Sequence, residues 1–187
     1  MGQDKAFLRL GGSTLLARAV ELATAAAESA WIVGRAEKFG AFGTVIEDVY
    51  RDCGPLGGIH AALTQTATDL NLMVAVDLPF LRLSLLSFLI AQARKTTAAV
   101  VVPRAGGGLQ PLCAVYRRSF GQVAERSLRA GRNRIEVLFA EVETRVLQPE
   151  ELKQNGFAEE MFRNLNTQED WKEAKGQTSD RGRRTLG

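Results

Sequence analysis

Residues 72–79 read LMVAVDLP. The apolar run from Leu72 to Val76 is continuous rather than alternating, which predicts a central strand buried on both faces. It stops at Asp77, before Leu78 and Pro79, so the strand ends abruptly on a carboxylate. Working outward, Leu83 to Arg94 has helical apolar spacing, and Gly57 to Thr66 reads as a second helix. Leu15, Leu16, Ala19, Leu22, Ala23 and Ala26 predict an amphipathic helix from Ser13, as N-cap, to Glu28. Short strands are expected at Trp31–Val33, closed by Gly34, and at Thr44–Ile46. Beyond the central run, strands at Ala98–Val102 and Leu112–Tyr116 flank the glycine-rich stretch from Arg104 to Leu109, which reads as a hairpin. Helices near Ser119–Arg129 and Arg134–Glu141, a strand near Thr144–Leu147, a strand over Met161–Leu165 and a helix over Thr167–Ala174 complete the series. Strands and helices that alternate in this way argue an α/β fold with a mostly parallel sheet covered by helices on both faces.

The chain's 187 residues fit one domain, and 45% hydrophobic with 24% charged residues excludes collagen-like and disordered classes. Cys53 and Cys113 are the two cysteines and His60 the single histidine. A disulfide framework, a thiolate zinc site and a histidine-rich metal cluster are therefore excluded, and a serine-histidine-aspartate triad would have to use His60. The net charge of +3 belongs to the end of the chain: residues 175–187 hold Lys175, Arg181, Arg183 and Arg184 against Asp180, and residues 1–174 balance. The body gives no support for nucleic-acid binding, and the polar end is expected to be a flexible tail. No apolar stretch is long enough to span a bilayer, and Asp4, Lys5 and Arg9 interrupt any signal-peptide core, so a cytoplasmic protein is expected.

In parallel α/β sheets ligands bind beyond the carboxyl ends of the strands. Asp77 is placed there, and a hard carboxylate in that position suits Mg²⁺, whose other ligands are typically water and substrate phosphate. The other reading of Asp77 is a turn former or helix N-cap before Pro79. Asp48, after Val45-Ile46-Glu47, either faces the same crevice or makes an Asx turn. Gly54, Pro55, Leu56, Gly57 and Gly58 join a turn to the start of a helix, where backbone N–H groups can meet a ligand closely. Lys5, in the polar start MGQDK, offers a point charge for phosphates.

Taken together, these segments resemble the molybdenum cofactor guanylyltransferases. The similarity runs over residues 1–174 and is carried by MGQDKAFLRLGG, IED at 46–48, CGPLGGIHAAL, LMVAVDLPFL, VVPR, QPLCAVYRRS, AGRNRIEVLF and FRNLNTQEDW, in the family's order. The resemblance implies a three-layer Rossmann-like nucleotidyltransferase fold. It also implies transfer of GMP from GTP to molybdopterin with release of pyrophosphate, with Mg²⁺ as cofactor. By position, Lys5 would contact the GTP phosphates and Asp77 would bind the metal ion. Asp48 with Gly54, Pro55 and Leu56 would hold the guanine nucleoside, and Gly34 would offer backbone alone. Arg134 would meet the pterin phosphate, in a paired basic site whose first position is Asn133 here, beside Arg132. Asn164 and Asn166 would line the pterin side, or Asn166 would help cap the last helix.

The same resemblance implies that a first strand and most of a glycine-rich phosphate loop, of the form LAGGxSxRMG, should precede Met1. A chain starting at Met1 is thus expected to be unstable or to bind GTP weakly, and a form extended upstream to recover both properties. Two other functions fit the same residues: a cytidylyltransferase for the same pterin, and a non-catalytic pterin-binding protein. The partners expected are GTP and molybdopterin, with transient contacts to other cofactor-biosynthesis proteins or acceptor enzymes.

Overall fold

The computed structural model describes residues 4–50, 52–165 and 170–171. A turn of 3₁₀ helix at Lys5–Phe7 leads into strands β1 (Arg9–Leu10) and β2 (Ser13–Thr14), helix α1 (Leu15–Ala26) and strand β3 (Ile32–Val33). Helix α2 (Ala36–Phe39), strand β4 (Val45–Ile46), helix α3 (Gly54–Gln65), strand β5 (Leu70–Val74) and helix α4 (Leu83–Arg94) follow. The second half runs β6 (Val100–Ala105), β7 (Gly108–Leu109), β8 (Cys113–Arg117), α5 (Phe120–Arg129), α6 (Ile135–Leu138), β9 (Thr144–Leu147) and α7 (Pro149–Gln154).

The main sheet has the order β5-β8-β6, with β7 and β9 also paired to β6. Strand β8 is antiparallel to both β5 and β6, and β9 is parallel to β6. Strands β5, β6 and β9 therefore run one way, with β8 and the short β7 against them, in a mixed sheet whose longer strands mostly share one direction. Strands β3 and β4 form a separate parallel pair. The hairpin expected at the glycine-rich stretch is present: Arg104 pairs with Leu109, and Gly106 and Gly107 take the positive φ values that its turn requires.

Side chains alternate across the sheet and define three layers. Val101, Cys113, Val115 and Leu147 pack on one face against α4, α7 and Phe162. Val100, Val102, Ala114 and Tyr116 pack on the other against α3, α5 and α6. Tyr116 is fully buried, yet its hydroxyl donates to the Pro111 carbonyl at 2.8 Å, so the core keeps no unmet donor there. A small third cluster of Leu10, Leu15, Leu165 and Trp171, joined by Val76, ties both ends of the described chain to the end of β5. Arg117 fastens the opposite end of β8, paired with Asp69 and donating to the Thr96 carbonyl at 2.6 Å.

Several expectations are corrected. Strand β5 covers Leu70–Val74 rather than Leu72–Val76, and all five of its residues are only half-buried. The reason is that β5 pairs with β8 on one edge and, among the described residues, with no strand on the other. Thr14 rather than Ser13 caps α1, accepting from the Ala17 N–H at 3.1 Å, because β2 runs through Thr14 and the helix begins only at Leu15. Helix α3 starts at Gly54, three residues before the expected Gly57, since Pro55 sits comfortably in a first turn. No strand forms over Met161–Leu165: Glu159–Phe162 is a 3₁₀ turn that buries Met161 and Phe162. Asp170 and Trp171 are helical as expected. The rest of the last helix and the tail lie outside the described residues.

Candidate active site

A cleft of about 1360 Å³ opens between α1, α3 and the edges of β3 and β5. Its lining brings together Lys5, Asp48, Gly54, Pro55 and Asp77, from four separate segments. Each is positioned by local structure. Asp4 caps the turn that carries Lys5, accepting from the Ala6 N–H at 3.0 Å, and pairs with Lys38 of α2. Phe7, in the same turn, stacks on Phe39 at 5.9 Å and leans on Phe42 at 5.6 Å. An ion pair and an aromatic cluster thus dock the Lys5 turn on α2.

Asp48 follows β4 by two residues. Its neighbour Glu47 faces away and accepts from the Ala36 N–H at 2.8 Å, at the start of α2. The Asp48 carboxylate lies against the first turn of α3: Oδ1 is 3.6 Å from where a side chain on Gly58 would begin. Oδ1 is buried and has no hydrogen-bond partner, and burial raises the carboxyl above its ordinary value. An oxygen left unsatisfied in this way carries a cost unless a ligand donates to it.

Helix α3 has no side-chain cap at Cys53. The N–H groups of its first turn are thus left to other acceptors, and the helix dipole favours negative charge there. The approach of the preceding loop depends on glycine, because a Cβ on Gly57 would lie 2.8 Å from the Tyr50 carbonyl oxygen. Asp77 lies three residues past the end of β5, half-buried. Its carbonyl accepts the Leu165 N–H at 3.2 Å, which puts the segment with Asn164 beside the same strand end.

Other predicted residues lie elsewhere. The Leu56 side chain is fully buried in the core with Ile59 and Leu63, so a role in ligand contact is confined to its backbone. Gly34 sits under the Phe39 ring, 2.7 Å from a would-be Cβ, and it is Val33 and Phe39 that line the cleft. Arg134 is exposed at the start of α6, and Asn164 is exposed. Neither is in the cleft wall, and Asn166 lies outside the described residues. Gly58, named in the sequence only as part of the turn-to-helix segment, has a place of its own in the cleft. It lines the cleft beside Asp48, and its signal was the second glycine of the Gly57-Gly58 pair. Among the described residues no group of three or more His, Cys, Asp or Glu side chains could hold a metal ion, and no helix is long and apolar enough to cross a membrane. The Cys113 thiol is pushed up to about 12 by burial, so it offers neither a ligand nor a nucleophile.

Replacing Asp48 with asparagine tests this geometry. A carboxyl whose folded value is raised lets the native state take up a proton more readily than the unfolded chain. Its contribution to stability therefore falls as pH rises from about 4 through the raised value. The Asp48→Asn chain is expected to lack that decline and to melt slightly higher at neutral pH, while binding nucleotide more weakly. Thermal melts across pH 4 to 7 check it. An unchanged pH profile would show that Asp48 is well solvated.

The family model described as a MobA-like NTP transferase domain matches residues 1–145. A probable molybdenum cofactor guanylyltransferase of Pelotomaculum thermopropionicum is 34% identical over 177 residues, covering 94% of this chain and 85% of that protein. The crystal structure of molybdopterin-guanine dinucleotide biosynthesis protein A from Archaeoglobus fulgidus superposes with a TM-score of 0.84 at 26% identity. It covers 96% of this chain and 92% of the other. A 2-C-methyl-D-erythritol 4-phosphate cytidylyltransferase from Thermus thermophilus, 16% identical and covering 94% of both chains, shares the fold with a TM-score of 0.68.

Proposed function

The chain belongs to the family of MobA-like NTP transferases, a family of nucleotidyltransferases, and from that membership we propose that it transfers GMP from GTP to molybdopterin. The observation that carries the reading is the single cleft in which Lys5, Asp48, the start of α3 and Asp77 meet. Cation, N–H donors and carboxylates converge there as a nucleoside triphosphate needs. In the reaction a phosphate oxygen of the pterin forms a bond to the α-phosphorus of GTP, the α–β bridging bond breaks, and pyrophosphate leaves. The acceptor brings its own oxyanion, so the protein needs no nucleophile, and its work is positioning and electrostatics.

Asp48 receives N–H groups of the guanine base at its unpartnered oxygen. The first turn of α3, with Gly58 leaving room beside Asp48, donates its N–H groups to the nucleotide. Lys5 acts as a point charge on the phosphates. Asp77 is the metal ligand. Its surroundings fit Mg²⁺, because with no multidentate cluster among the described residues an ion here must complete its shell with phosphate and water, as Mg²⁺ commonly does. When bound, the ion offsets the charge that develops on the departing pyrophosphate. Arg134, Asn164 and Asn166 are assigned to the pterin by the family resemblance alone, since Arg134 and Asn164 stand outside the cleft wall and Asn166 lies outside the described residues. The test is competition: GTP is expected to displace a bound fluorescent guanine nucleotide, and CTP at the same concentration to leave it in place. Equal displacement by CTP would reject the guanine assignment.

We also propose that residues 1–174 form the catalytic body and that 175–187 are dispensable. The body is charge-balanced without these residues, and their composition offers little apolar surface to bury. Ending the chain at residue 174 is expected to shift the melting temperature by less than about 2 °C and to leave transfer unchanged. A larger fall would show that the tail docks.

A further inference from the structure

The loop that carries Asp48 is braced by a side chain outside the cleft wall. Tyr50, two residues on, packs against the core on the side of the sheet where α3 and α5 lie. Three parts of it are engaged. Its ring meets the His60 imidazole edge-on, with centroids 5.2 Å apart and planes at 73°. Its hydroxyl accepts from Arg129 Nε at 3.3 Å, and the same guanidinium pairs with Glu125, one turn earlier on α5, at 2.7 Å. Its carbonyl oxygen lies against Gly57 of α3, where an added Cβ would come within 2.8 Å.

The partner on α3 is itself fixed. Thr64 Oγ1 donates to the His60 carbonyl at 2.8 Å, which commits the hydroxyl proton. Across 3.3 Å it is then His60 Nε2 that donates to Oγ1, so the buried ring is held in one orientation as a platform for Tyr50. The loop has few other anchors, since Val49 and Asp52 are exposed. Asp52 also takes a left-handed φ of 60°, a conformation uncommon outside glycine that persists where the surroundings dictate it.

We propose that Tyr50 is a positioning residue for base recognition. By bracing the loop between His60 of α3 and Arg129 of α5, it sets the place of the Asp48 carboxylate and so the preference for guanine. The inference rests on the reading of Asp48 as acceptor of the guanine N–H groups. A carboxylate that must meet two neighbouring N–H donors has to be held within about 0.5 Å. Phosphates met by a flexible lysine and the first turn of a helix tolerate more, so the loop governs the base and not the phosphates.

The experiment is a double-mutant cycle read with two probes, GTP and inorganic tripolyphosphate, each with Mg²⁺. Tyr50→Leu is expected to weaken GTP binding about tenfold and tripolyphosphate binding less than about twofold. In a chain that already carries Asp48→Asn, it is expected to cost no further GTP affinity. Tyr50→Phe keeps the ring on His60 and loses the hydroxyl contact alone. It and Arg129→Leu are each expected to cost about threefold, and the pair together no more than either, because both remove one interaction. These milder variants carry the cycle if Tyr50→Leu does not fold. Equal losses for the two probes, or the same loss with and without Asp48→Asn, would make Tyr50 a general structural residue and overturn the proposal, as would unchanged GTP binding in Tyr50→Leu. If Asp48→Asn alone leaves GTP binding unchanged, the reading of Asp48 falls, and the proposal with it.

Discussion

Asp77→Asn is expected to lower GMP transfer by about 100- to 1000-fold, equivalent to roughly 3 to 4 kcal/mol of barrier, with the fold intact. Asparagine is close to isosteric with aspartate, and the hydrogen bond that fixes this strand end uses the Asp77 backbone carbonyl, which the substitution leaves in place. What the substitution removes is the negative charge proposed to hold a divalent ion against the triphosphate. Transfer assays at saturating GTP and Mg²⁺, with chains of the same length and melts run alongside, separate the two effects. A variant that melts like its parent and keeps full metal-dependent activity would remove Asp77 from the reaction.

Gly57→Val is expected to cost about 1 to 3 kcal/mol of stability, the usual range for forcing extra carbon into a packed site. The added Cβ would meet the Tyr50 carbonyl oxygen at 2.8 Å and the Cys53 Cβ at 3.4 Å. Backbone rather than a flexible side-chain end stands in the way, so the loop from Asp48 to Cys53 must move. That loop carries the Asp48 carboxylate, and GTP affinity is therefore expected to fall by about tenfold or more, since each 1.4 kcal/mol is tenfold. Denaturant melts and nucleotide titration check both effects. If Gly57→Val binds GTP as its parent does, the close packing of loop on helix has no part in placing the base.

The layered fold was legible because its signals are local. LMVAVDLP announced a strand, though two residues later than β5 runs, and the glycines at 106–108 announced a hairpin. The half-burial of β5 was not legible, because burial depends on what lies beside a strand rather than on its own residues. The β1–β2 pairing was hidden in RLGGST, where two residues on each side of a glycine turn are too few to show a period. Leu56 and Gly58 exchanged roles for a reason that helix geometry contains. Leu56 and Leu63 turn to the core, Gly54, Gly58 and Ala62, spaced by four, turn to the cleft, and Ile59 borders both. Taking the turn as a unit concealed that division. Lys5, Asp48 and Asp77 were each ambiguous alone, and it is the fold that places them in one cleft.

The most direct measurement of the central claim follows the phosphorus. Purified chain would be incubated with molybdopterin, Mg²⁺ and GTP labelled at either the α- or the γ-phosphate. The account predicts that α-label enters the pterin product with one pyrophosphate released per product, that γ-label appears in pyrophosphate alone, and that CTP does not replace GTP. Absence of α-label from the pterin, or γ-label in the pterin, would contradict it.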